Sequence, residues 1–149
     1  MLKFSESIVI PGNAQALFDY TQDYNNRLTW DTFLKEATLL NHATVAAKDV
    51  KAWCVAKNGL GMETIYVSFF PPKVAAIKMT RGPYIFRDFA ASWRFEETDQ
   101  RSTQVIFTYS FSLRFPFNMT RSIVFFVLKK NVRQRLLDLK QQFLKHTQL

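Results

Sequence analysis

A single cysteine, Cys54, stands among 149 residues. No intrachain disulfide and no cysteine-based metal site can be built from it, and one buried-type thiol suits a reducing compartment. Histidine is nearly as scarce, with His42 and His146 far apart in the chain, so no His-Asp or His-Glu pair is visible. Glycine numbers 4, which leaves little from which to make a phosphate-cradling loop. No P-loop, dinucleotide fingerprint or zinc spacing is present, so neither a cofactor nor a metal is expected. The longest apolar run, Ile123 to Leu128, is far too short to span a bilayer. The stretch from Met1 to Glu6 carries charges and lacks the apolar core of a signal peptide. These scarcities describe a soluble protein of the cytoplasm.

What is abundant points the other way from disorder. Hydrophobic residues make up 48% and aromatics 15%, with 15 phenylalanines, enough for one domain spanning residues 1–149 with a real core. The net charge is +8. That permits an anionic membrane surface or an acidic protein as partner without demanding either. The basic residues are scattered, and Phe and Tyr do not interleave with Lys and Arg on one strand face, so no specific nucleic-acid partner is expected.

From Asn118 to His146 the chain reads as one helix without Gly or Pro, about 43 Å long at roughly 1.5 Å per residue. Phe125, Leu128, Val132, Leu136, Leu139 and Phe143 recur at steps of three or four, which lines them on one face. Ile123 to Leu128 is apolar on every side, and cover on more than one face is expected there. Lys129, Lys130, Arg133, Arg135, Lys140 and Lys145 decorate the rest. The plain reading is a solvated face with cations near the helix C-terminus; the sharper one is a docking surface for anionic lipid or an acidic partner.

The rest reads as strands. Lys3 to Ile10 is a strand ended by Pro11-Gly12, with Leu2, Phe4, Glu6, Ile8 and Ile10 on one face. Asn13 is placed to cap a helix from Ala14, and Tyr24 to Thr29 forms a second helical piece. A weaker strand runs from Lys35 to His42. Asn58-Gly59-Leu60-Gly61 is hairpin-turn chemistry. A symmetric hairpin sets Cys54 opposite Ile65 and Trp53 opposite Tyr66. Ala52, Cys54, Ile65, Val67 and Phe69 then face inward with Glu63, while Trp53, Thr64 and Tyr66 face outward. A one-residue slip would exchange these faces. Ala75, Ile77 and Met79 share the inner side of the strand Lys73–Arg81. Phe89, Ala91, Trp93 and Phe95 do so in Arg87–Glu97, and Val105, Phe107, Tyr109, Phe111 and Leu113 in Thr103–Arg114. The expected fold is α+β: an antiparallel, strongly curved sheet of about six to seven strands wrapped round the long C-terminal helix, with two short helices after the first strand.

The pattern Ile8-Val-Ile-Pro-Gly-Asn-Ala-Gln-Ala-Leu-Phe-Asp-Tyr20, then Tyr24-Asn-Asn-Arg-Leu-Thr-Trp-Asp31, together with the final helix, resembles the helix-grip superfamily (START/birch-pollen-allergen-like, SRPBCC). The branch it resembles is the polyketide cyclase/dehydrase-like one, and the likeness runs over essentially the whole chain. It implies an apolar ligand, such as a lipid, isoprenoid quinone or polyketide, held between sheet and helix. It carries over no active-site residue. Candidate ligand-binding residues are Trp93, Phe107, Tyr109, Phe111, Phe69, Ile77 and Met79 on the sheet, Phe125 and Leu128 on the helix, and Leu28 and Trp30 at the mouth. The plain alternative is a solid core, against which stand the small inner residues Ala52, Cys54, Ala75 and Ala91. Asp31 either caps a turn or pairs with Arg27. An enzyme of cyclase, aromatase or dehydratase type is the alternative function. Its acid/base group would be Glu6, Glu63 or Tyr109, with the catalytic residues otherwise unknown. The protein is read as a monomer or homodimer.

Overall fold

Alternation of apolar and polar side chains sets the centre of the sheet. In β7 (Ser102–Leu113), Val105, Phe107, Tyr109, Phe111 and Leu113 are buried while Thr108 and Ser110 are half-buried on the other face. The computed structural model, which describes residues 1–147, flanks this strand with β1 (Leu2–Pro11) and β6 (Phe86–Glu97), each antiparallel to it over nearly its full length. In β6, Phe89, Ala91, Trp93 and Phe95 repeat the buried pattern. Outward from β6 follow β5 (Val74–Arg81), β4 (Gly61–Phe70), β3 (Lys51–Ala56) and β2 (Leu34–Leu39). The result is one seven-stranded antiparallel sheet in the order β1-β7-β6-β5-β4-β3-β2, curled into a half-barrel.

Two short helices, α1 (Ala14–Gln22) and α2 (Arg27–Trp30), fill the connection from β1 to β2. Asn13 caps α1 as its position suggests, its Oδ1 accepting from the Ala16 N–H at 2.7 Å. Gly12 makes the turn with φ of +136°, and a Cβ there would lie 2.9 Å from the ring of Phe143. The missing side chain lets the end of the last helix close onto the end of β1. After β7 a 3-10 turn (Phe117–Thr120) leads into α3 (Arg121–Thr147), and the long helix completes the helix-grip arrangement. Val132, Leu136, Leu139 and Phe143 are each no more than 2% exposed. Burial of such side chains contributes about 1.5–3 kcal/mol each. No described helix is long and apolar enough to cross a membrane.

Two sequence expectations fail. The β3–β4 hairpin is not symmetric about its turn: Cys54 pairs with Met62, Trp53 with Glu63 and Lys51 with Ile65. The shift keeps the expected faces of β3 and reverses those of β4. Thr64 and Tyr66 turn inward and are buried, Val67 is exposed, and Glu63 lies outside, where Thr80 Oγ1 donates to its carboxylate at 2.6 Å and Lys51 Nζ stands 3.9 Å away. An irregularity between Tyr66 and Ser68 then resets the parity, so Phe69 packs edge-on against Phe18 and Tyr66. The second failure is in α3. Its apolar front is not covered on several faces: Ile123 is 67% and Phe126 68% exposed, and Val127 is exposed with them.

Candidate functional site

Between the sheet and the front half of α3 lies a cavity of about 310 Å³, at the small end of the range for ligand pockets. Its wall is mostly the inner faces of the strands. Ile77, Phe89, Ala91, Trp93, Phe107 and Tyr109 line one side, and Val127, Leu128 and Asn131 of α3 the other. Cys54, Ala56, Met62, Thr64 and Tyr66 from the β3–β4 hairpin close a third side. Trp93 stacks on Phe107 with ring centroids 3.8 Å apart, and Tyr109 stands edge-on to both Phe107 and Phe89. These rings brace one another and give the wall a fixed shape. Space remains because Ala56, Ala91 and Cys54 are small where their neighbours are large.

One end of the cavity is polar, and it is built by α2 and α3 together. Asp31, at the C-terminal end of α2, is fully buried. Arg135 of α3 holds it with two bonds, Nε to Oδ1 at 3.0 Å and Nη2 to Oδ2 at 2.7 Å, and Arg27 adds Nε to Oδ2 at 2.9 Å. Arg135 Nη1 also donates to the Tyr109 hydroxyl at 2.5 Å. Burial alone would raise the Asp31 pKa, but the Arg135 and Arg27 guanidiniums more than offset it and hold the carboxyl below its ordinary value. Burial would lower both arginines, yet Asp31 keeps them above their ordinary value. Beside this cluster Tyr66 donates to Gln22 Oε1 at 2.8 Å, with the Tyr24 hydroxyl 3.5 Å away. Burial raises the pKa values of Tyr24, Tyr66 and Tyr109 and of the Cys54 thiol, so all four stay neutral near pH 7.

The structure sorts the sequence candidates. Ile77, Trp93, Phe107, Tyr109 and Leu128 come together on the cavity wall. The others do not line it. Phe69 packs beneath α1 on Phe18. Phe111 sits behind Phe86, Phe125 packs on Phe4, and Met79 packs by Gly82 on the way out of β5. Trp30 is wholly buried, edge-on to Trp93, and its indole N–H has no acceptor among the described residues. Leu28, two residues earlier on α2, is 47% exposed and away from the wall. Glu6 does keep the inner parity of β1, but it meets α3 rather than the cavity: Arg133 Nε donates to it at 2.8 Å and Lys129 Nζ lies 3.7 Å away.

Sequence reasoning missed Arg135. Counted among the solvated cations of α3, it is 6% exposed. The signal was its spacing: it lies three residues after Val132 and four before Leu139, on the buried stripe itself. Tyr66 and Gln22 were missed with the β4 register and the end of α1.

The family described as polyketide cyclase / dehydrase and lipid transport matches residues 1–143. The chain belongs to this family. No curated protein matches the sequence. Several solved structures superimpose over nearly the whole chain. The Zhui aromatase/cyclase from Streptomyces sp. R1128 does so with a TM-score of 0.84 at 13% identity, covering 98% of this chain and 95% of its own. A START superfamily protein from Mycobacterium smegmatis gives 0.71 at 11% identity, with 94% and 98% covered. Ara h 8.0201 gives 0.71 at 10% identity, with 97% and 98% covered. At such identities these likenesses establish the fold alone.

Proposed function

We propose that the protein binds or carries a small hydrophobic molecule, of lipid, isoprenoid-quinone or polyketide type, in the cavity between the sheet and α3. The observation that carries this reading is an aromatic-walled cavity of about 310 Å³ between the sheet and α3. Apolar contact at about 25 cal/mol per Å² supplies the affinity, and the polar end orients the guest. The sharpest test is Ala91→Phe, which puts a ring into the cavity from a wall residue of β6. The variant is expected to keep its fold by circular dichroism and to lose uptake of a neutral apolar dye. Uptake equal to wild type would remove this cavity from consideration.

A cyclase, aromatase or dehydratase activity is favoured by one feature, Tyr109. Arg135 can only donate, so the Tyr109 oxygen accepts and its own proton is left to point at a guest. Glu6 and Glu63 are engaged elsewhere, which leaves Tyr109 as the acid/base candidate. Turnover of a poly-β-ketone substrate by wild type and its loss in Tyr109→Phe would establish that activity.

The partner at the surface is read from another observation. From Arg114 to Ile123 every residue is exposed, among them Phe115, Phe117, Met119 and Ile123, and Phe126 continues the patch. Arg114, Arg121, Lys129 and Lys130 flank it, and no Asp or Glu occurs between Asp99 and Asp138. Apolar side chains edged by cations match an anionic lipid surface, and Val127 joins this patch to the cavity. Binding to phosphatidylglycerol vesicles that weakens with salt is the expected result. Equal binding to phosphatidylcholine vesicles would exclude the electrostatic part.

A further inference from the structure

We infer that the cavity is built for a ligand with an anionic oxygen head group, a carboxylate or an enolate or phenolate, seated between Arg27 and Tyr109. The inference deepens the hydrophobic-ligand reading and rests on it. Three observations carry it.

The first is charge. Two guanidiniums, Arg27 and Arg135, share the single carboxylate of Asp31 at distances of 2.7–3.0 Å. All three side chains are more than nine-tenths buried. Glu and Asp are absent from the residues that line the cavity. A buried cation without its own counter-charge is unfavourable, and here one of two cations lacks one. An anion entering the cavity restores neutrality.

The second is which arginine is left over. Arg135 is committed at Nε, Nη1 and Nη2. The Arg27 side chain has one carboxylate partner, Asp31, reached by Nε at 2.9 Å, and it also interacts with the Tyr24 hydroxyl. Its Nη groups have no carboxylate partner among the described residues, and they are not sealed in, since the side chain borders the cavity and the Trp30 indole is the orphaned buried donor of the described residues. The guanidinium is steadied by rings instead, 5.1 Å from the centroid of Trp30 and 5.5 Å from that of Tyr24. A planar fork fixed in this way presents its N–H groups to a planar acceptor.

The third is the donor inventory. Arg27 offers N–H groups, and Tyr109 offers the proton left free by its bond from Arg135. Tyr66 has given its proton to Gln22. Between Arg27 and Tyr109 both groups donate, and what that spot needs is a guest oxygen that accepts. An alcohol meets that need in part; a carboxylate or enolate meets it fully.

The test uses the full chain at pH 8 with a neutral dye, diphenylhexatriene, reporting cavity occupancy. Two matched pairs compete for the dye: dodecanoate against dodecanol, and 2-naphthoate against 2-naphthylmethanol. The acid of a pair is expected to bind roughly tenfold or more tighter than the alcohol, as one charge-assisted hydrogen bond would give. Arg27→Gln, which leaves the bidentate Arg135–Asp31 pair whole, should erase the difference, and Arg27→Lys should restore part of it. Discrimination in the aliphatic pair points to a fatty-acid source, and in the aromatic pair to a cyclised one; either supports the inference. Equal competition by acid and alcohol in both pairs overturns it while the apolar reading stands. A wild-type protein that does not take up the dye overturns both. Should Arg27→Gln fail to fold, the wild-type acid-to-alcohol ratio still decides.

Discussion

From Val132 to Phe143, α3 turns a single stripe into the sheet, and Arg135 on that stripe clasps Asp31 of the helix before β2. From Arg121 to Val127 the same helix is richer in apolar residues and far less buried. Hydrophobicity alone would predict the opposite. The back half has partners for its inward apolar side chains, Phe143 at Gly12 and Tyr20 and Leu136 and Leu139 in the core, with Leu137 alone turned to solvent among the large ones. The front half rests Phe125 on Phe4, borders the cavity at Val127 and leaves Ile123 and Phe126 exposed. Packing of the core and bordering of the cavity thus fall to different turns of one helix.

The contrast can be broken most forcefully at Asp31. Asp31→Ala leaves two buried guanidiniums without a counter-charge, and a loss of about 3–5 kcal/mol is expected in urea unfolding. Leu139→Ala, in the same half, should cost about 2–5 kcal/mol by leaving a void under the helix. Acid offers a reversible version of the first change. Because the fold holds the Asp31 carboxyl below its ordinary value, the folded state binds fewer protons than the unfolded chain in the acid range. Its contribution is therefore complete above about pH 4 and is lost as pH falls through the lowered folded value. A thermal-unfolding series from pH 7 to pH 3 should show that loss, and Asp31→Asn should remove this part of the slope. The smallest effect sharpens the contrast: Ile123→Ser with Phe126→Ser is expected to change stability by no more than about 0.5 kcal/mol each. A loss like that of Leu139→Ala would mean the front half is packed after all.

Much of this was legible in the chain. Alternation in β6 and β7 gave the inner faces, and from them Trp93, Phe107 and Tyr109, which line the cavity, and Phe111, which does not. The turn Asn58-Gly59-Leu60-Gly61 located the hairpin but not its register, because a pairing offset on one side of the turn looks no different in composition from a symmetric one. Ile65 and Val67 then supported the wrong face of β4, since apolar side chains on the outside of a sheet carry no mark of it. Tyr66 was lost for that reason. Arg135 failed differently: its spacing was right for burial, and its charge argued against it. Only a carboxylate brought from another element makes that position tenable, and spacing cannot say that Asp31 arrives there.

Trp93 lies on the cavity wall, Trp30 meets it edge-on from the closed side with centroids 5.8 Å apart, and Trp53 rests over Gly61 on the outer face of the hairpin. The chain thus carries one indole on the cavity wall, a neighbour packed against it and a third on the outer face of the sheet. Replacing Trp53 with Phe would leave an emission dominated by the two inner indoles, so filling and emptying of the cavity can be timed in the unlabelled protein.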